Sequence, residues 1–103
     1  MAYIAEILRQ YIRLPLTPNQ PRRADRRLAA DLLRRQVPFA IVRAALLIAS
    51  ARRAFSSTPS LTPIRSLHYF LPVLDEIQQG KPIDPDYIDY LEKRLINASQ
   101  KTL

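Results

Sequence analysis

Cysteine and tryptophan are absent from the 103 residues, and histidine and glycine occur once each. Without a thiol, a disulfide framework and a thiolate metal site are both excluded, and the single imidazole, His68, cannot form a histidine cluster within the chain. Most catalytic constellations need one of these groups, so the expectation is a binding protein with no enzymatic activity, no cofactor and no metal. Scarce glycine also argues against tight β-hairpins, which favour Gly or Asn-Gly at their turns. The one glycine, Gly80, stands where a helical pattern stops. Long apolar runs are missing too: the longest, Val37 to Ala51, is broken by Arg43 and falls short of the roughly 20 residues that a bilayer span needs. The first residues, Met1-Ala2-Tyr3-Ile4-Ala5-Glu6, lack the charged-then-apolar layout of a secretion signal. No membrane association and a cytoplasmic location are therefore expected.

What the chain has in excess is arginine, thirteen against three lysines, giving a formal charge of +7. The charge is unevenly placed. Residues 1–55 carry eleven arginines and three acids, a balance of +8, whereas residues 56–103 carry five bases and six acids, a balance of −1. A coding bias towards arginine would explain the total better than this placement. A concentrated positive charge favours a polyanionic partner. The length suits one small domain, and an apolar content of 48% is enough to build a core for it.

Nine prolines punctuate five apolar segments at helical period. Ile4, Ile7, Leu8, Tyr11 and Ile12 describe one buried stripe on a first helix over residues 2–13. Pro15 ends it. Thr17 and Gln20 could form a capping box with Pro18 at the first helical position, which predicts a short turn there. A second helix over 22–36 sets Leu28 and Leu32 on one side and Arg22, Arg23, Arg26, Arg27 and Arg34 on another. The third, over 38–55, is apolar almost all round and belongs in the middle of a bundle. Arg52 and Arg53 near its end complement the helix dipole, a structural role sufficient to explain them. After the polar linker Ser56-Ser57-Thr58-Pro59-Ser60, Thr62-Pro63 predicts the start of a fourth helix carrying Ile64, Leu67, Leu71, Leu74 and Ile77, kinked at Pro72. Gly80 closes it, and Asp84-Pro85 opens a fifth helix with Tyr87, Ile88, Leu91 and Leu95. The expected architecture is all-α: a single domain over residues 1–103, five helices with helix three central and packed by the other four, and a tail that frays from about residue 97.

Four arginines on two adjacent turns, Arg22, Arg23, Arg26 and Arg27, can reach successive phosphates, and guanidinium suits bidentate phosphate contacts. The expected function is nucleic-acid binding, duplex DNA before RNA, through these four together with Arg13, Arg34, Arg43, Arg52 and Arg53. Helices two and three, joined by Gln36-Val37-Pro38, have the length of a helix-turn-helix, yet Phe39, Ala40 and Arg43 offer little hydrogen-bonding capacity where base edges would be read. An ordinary helical hairpin of the core is the simpler reading. A solvated basic face on a protein-interaction module or homodimer is the alternative function.

Other polar groups have structural readings close at hand. His68 is expected to hydrogen-bond near the kink. Tyr69, Tyr87 and Tyr90 could stack on unpaired bases, but their spacing beside Leu and Ile suits the core or its rim. Asp84, Asp86, Asp89 and Glu92 crowd the start of helix five, where the dipole favours acids without any metal.

Three strings together resemble a known grouping: Asp25-Arg26-Arg27-Leu28-Ala29, the run from Ala44 to Arg53, and Pro63 to Leu74 with its core Leu67-His68-Tyr69-Phe70-Leu71-Pro72. They are similar to short, Arg-rich, all-helical bacterial proteins of largely unassigned role, loosely associated with mobile-element and replication genes. The likeness covers about residues 12–95. It implies a compact helical module acting on DNA and carries over no catalytic residue.

Overall fold

The computed structural model describes residues 2–55 and 63–99. Five α-helices, α1 (Ala2–Ile12), α2 (Arg23–Arg34), α3 (Phe39–Ala54), α4 (Leu71–Gln78) and α5 (Pro85–Ser99), are joined by loops and one 3₁₀ turn (Leu67–Phe70). Among the described residues there is no strand. The all-α expectation stands. The Ser56–Ser60 linker and the Thr62 cap lie outside the described residues.

α3 is the centre, as its apolar circumference requires: Val42, Ala44, Ala45, Leu46, Leu47, Ala49, Ser50 and Ala51 are all buried. Its alanines let α4, α5 and α1 approach closely. α2 departs from the expected arrangement. It packs chiefly on α1 and on the 3₁₀ turn, and reaches α3 by side chains, Leu28 and Leu32 facing Val42, Ala45 and Leu46 around a small void. One face of α2 is therefore turned to solvent along its whole length.

Two corrections concern helix ends. No turn of helix begins at Pro18; the Thr17 hydroxyl instead donates to the Leu14 carbonyl at 2.7 Å, and residues 17–22 run on without helix. Nor does a fourth helix open at Pro63 and kink at Pro72. Residues 63–66 lie outside any helix, with the Ile64 N–H donating to the Leu16 carbonyl at 2.8 Å. Ser66 caps the 3₁₀ turn, its hydroxyl accepting the His68 N–H at 3.1 Å. Pro72 then falls in the first turn of α4, where its missing N–H leaves no bond unmade. A proline in an apolar helical pattern can start a helix as well as bend one, and here the start costs less.

The other ends follow ordinary capping chemistry. α4 closes on Gly80 at φ 110°, with Gly80 N–H on Ile77 O and Lys81 N–H on Glu76 O. The same paired bonds close α2, from Gln36 to Leu33 O and from Val37 to Leu32 O, but with the non-glycine Gln36 at φ 60° in the left-handed position. That conformation costs a side-chain-bearing residue roughly 1 kcal/mol. Burial of Val37 beyond it and the Tyr3 hydroxyl donating to the Val37 carbonyl at 2.6 Å offset the strain.

Tyr11 lies fully inside, edge-on to Phe70, and its hydroxyl has no partner among the described residues. Burial pushes this phenol up to about 12, with the Asp25 charge adding to the rise and Arg22 opposing it. Because the folded chain resists ionisation that the unfolded chain permits from 10 upward, this stabilisation is complete below pH 10 and is lost as pH rises towards 12. Melting temperature should therefore decline across that window. Tyr11→Phe should leave stability at neutral pH unchanged or slightly higher, since it removes an unsatisfied buried hydroxyl, and should shrink the alkaline decline. Thermal melts from pH 7 to 12 check this; an identical decline in both proteins would refute it.

Candidate nucleic-acid interface

The arginine-bearing start of α2 is held from within by an acid. Asp25 is 1% exposed, although its neighbours in sequence, Ala24 and Arg26, are both open. One carboxylate oxygen accepts the Arg22 backbone N–H at 2.9 Å, satisfying a donor at the helix start, and the other accepts the buried Leu67 N–H at 2.9 Å. This single side chain pins α2 to the 3₁₀ turn. With Asp25, Leu28, Ala29 and Leu32 inward, helical period turns Arg23, Arg26, Arg27 and Arg34 outward, and Arg22 is exposed beside them.

The nine arginines singled out in the sequence divide into groups once the chain is folded. Arg22, Arg23, Arg26 and Arg27 are exposed and have no ion pair among the described residues. Arg34 pairs with Asp31, which also holds Arg35 at 3.2 Å. Arg43 is clamped across the bundle by Asp89 at 2.9 Å and Glu92 at 2.8 Å, and Arg52 forms a fork with Glu76 at 3.0 and 3.1 Å. Arg53 lies over the Tyr69 ring, 5.5 Å from its centre, with Nε and Nη2 buried. Arg13 is exposed, but its charge is felt at Glu92, away from the α2 face.

The clamped arginines act as struts. Burial pushes the Glu92 carboxyl up, but hydrogen bonds from Gln10 and Arg43 and the charges of Arg43 and Arg13 outweigh it and hold the group below its ordinary value. Burial likewise works against the Arg43 charge, and the bonds to Glu92 and Asp89 more than restore it. Gln10, Glu92 and Arg43 thus link α1, α5 and α3 in one network, with 2.8 Å from Gln10 Nε2 to Glu92. Releasing Arg43 to bind an anion would leave half-buried Glu92 uncompensated, an unfavourable exchange. The first turn of α3 has little left with which to read bases: Phe39 is half-buried, Ala40 lacks a polar group and Arg43 is engaged.

Two open clefts flank the start of α2. One, about 300 Å³, lies between Arg22 and Arg65, with Thr17, Pro18 and Ile64 in its walls. Arg65 is exposed and has no ion pair among the described residues; no sequence pattern groups it with Arg22, Arg23, Arg26 and Arg27, from which it is separated by 38 or more positions. The other cleft, about 690 Å³, runs between α2 and the 3₁₀ turn; Ala24, Leu28 and Ala30 form an apolar part of its lining, and Arg27, Asp31, Arg34 and His68 its charged and polar part. His68 does hydrogen-bond locally, its Nδ1 being 2.9 Å from the Ser66 hydroxyl, but at the cap of the turn and not at a kink.

A different surface carries the aromatics. Tyr69, Tyr87 and Tyr90 are 44%, 52% and 51% exposed, so none is core. Tyr87 and Tyr90 stack at an interplanar angle of 28°, and with Phe55 they border a groove of about 580 Å³ between α3 and α5, where Arg94 sits 4.0 Å over the Phe55 ring. The acids there have structural work: Asp84 accepts the Asp86 N–H at the start of α5, while Asp89 and Glu92 hold Arg43. Among the described residues no cluster of His, Asp or Glu could hold a metal, and no helix is long and apolar enough to cross a membrane. No protein-family model, curated protein or solved structure matches the chain.

Proposed function

We propose that this chain binds nucleic acid, duplex DNA in the first place, by gripping backbone phosphates along the start of α2, without catalysis and without helix-turn-helix readout of bases. The observation that carries the reading is the division among the arginines. Arg34, Arg35, Arg43 and Arg52 are met by carboxylates, whereas Arg22, Arg23, Arg26 and Arg27 share one exposed face and are met by none among the described residues. Leaving four like charges together is unfavourable unless an anion joins them, and a phosphate backbone supplies a row of anions. Arg65 extends the set to five across the smaller cleft.

The exposed aromatic groove between α3 and α5 favours a second reading, a protein partner or a second copy docking on Phe55, Tyr87 and Tyr90. Mobility-shift titrations with duplex DNA, single-stranded DNA and RNA at two salt concentrations separate the two. The expected result is binding of the duplex at low salt that weakens steeply at higher salt. No retention of duplex at low salt would end the nucleic-acid reading in favour of the docking one.

A further inference from the structure

We propose that the cleft between α2 and the 3₁₀ turn is a phosphate subsite in which His68 serves as a pH-dependent second cation beside Arg27, so that the grip on a phosphodiester backbone tightens as pH falls. This deepens the nucleic-acid reading and rests on it for the identity of the ligand.

The geometry begins with the hydroxyl of Ser66. It accepts the His68 backbone N–H at 3.1 Å and lies 2.9 Å from Nδ1 of the same residue, which fixes the ring at the mouth of the cleft. When the imidazole is neutral and the hydroxyl donates to Nδ1, the ring proton resides on Nε2. When the imidazole is charged, Nδ1–H donates to the hydroxyl and Nε2 still carries a proton. With the hydroxyl donating to the neutral ring, Nε2–H is a donor in both forms. Protonation thus adds a full charge while requiring only rotation of one hydroxyl.

The charged groups around the ring set the sign. α2 contributes Arg27, Arg34 and Asp31 to the cleft, and Asp31 is already shared by Arg34 and Arg35. α3 contributes Arg53, which is turned onto the neighbouring Tyr69 ring, and α4 puts no charged group into the lining. With Arg34 spent on Asp31, Arg27 is the free cation of the cleft, and a phosphate held by it would also attract a charged imidazole. A ligand that prefers the protonated protein binds more tightly below the titration of the group, by linkage. An imidazole ordinarily titrates near pH 6.5, and phosphodiesters keep one negative charge throughout this range, so pH dependence there originates in the protein.

The test uses the full chain, which has a single histidine. Duplex affinity at constant salt should rise about five- to tenfold between about pH 8 and about pH 5.5, the gain of one partly exposed charge-assisted contact. His68→Gln, which keeps a hydrogen-bonding group without the charge, should match the parent at pH 8 and show a flat profile. In parallel, inorganic sulfate should shift the NMR resonances of the lone imidazole at pH 5.5 in the parent and much less in Arg27→Ala. A flat parental profile, or one retained in His68→Gln, overturns the subsite while leaving DNA binding standing. If the parent binds no DNA but sulfate still moves the imidazole in an Arg27-dependent way, the subsite stands and the nucleic-acid reading falls.

Discussion

Replacing Arg22, Arg23, Arg26 and Arg27 together by Ala should remove most of the affinity for duplex DNA and leave the fold intact. Each neutralised phosphate contributes roughly −0.9 to the slope of log affinity against log salt, so five contacts, these four with Arg65, give a slope of about −4.5. A fourfold rise in salt should then weaken the parent by about 500-fold and the variant, with one contact left, by only about fourfold. Stability should change little. All four side chains are exposed, Ala is the best helix former, and the bond that caps α2 uses the backbone N–H of Arg22, which the substitution retains. Arg43→Ala and Arg52→Ala are the informative controls, because their charges are already spent on Glu92, Asp89 and Glu76. They should leave the salt slope at its parental value, and Arg43→Ala should lower the melting temperature by stranding Glu92. Equal slopes in the parent and the quadruple variant would sink the interface.

The largest effect on stability should come from the middle of α3. Leu47 is fully buried and Leu46 is 1% exposed, so Leu→Ala at either position loses the transfer energy of the side chain and leaves a cavity, about 2 to 5 kcal/mol. A domain of this size has about 5 to 15 kcal/mol in all, and its midpoint moves roughly 4 to 8 °C per kcal/mol, so a fall of at least about 8 °C is expected. Leu46→Ala should lie towards the upper end, because Leu46 already borders the void shared with Leu28, Leu32 and Leu74 and the walls are poorly placed to collapse. Ile48 is half-buried, and its replacement should cost distinctly less. Chemical denaturation of the three variants gives the ranking; parental midpoints for both leucine variants would show that α3 is not the centre of the core.

Local sequence determined much of this protein. Periodicity and proline spacing specify all five helices and the central place of α3, because an apolar stripe has to be buried and a proline has to stand at an end. Tyr87 and Tyr90 were not legible in this way: their spacing beside Ile88 and Leu91 suits the core or its rim, whereas the packing of α5 on α3 through Ile88, Leu91 and Leu95 leaves both half-exposed or more. Pro72 was not decidable in this way, since starting a helix and kinking one satisfy the same local rule; the difference lies in the extended path of Pro63 to Ser66 and its bond to Leu16, 48 positions earlier. The left-handed Gln36 carries no glycine signal at all and is tolerated because Val37 is buried beyond it.

For the candidate site, the sequence by itself determined the excess of arginine and its concentration before residue 56. Which arginines remain available was decided only by the tertiary structure. Arg43 meets acids 46 and 49 positions away, Arg52 meets one 24 positions away, and Asp25 turns inward to a backbone N–H 42 positions along the chain. Arg65 and His68 reach the α2 face by the same long-range folding. Charges are neutralised through space over a few ångströms, and helix packing, not order along the chain, sets those distances.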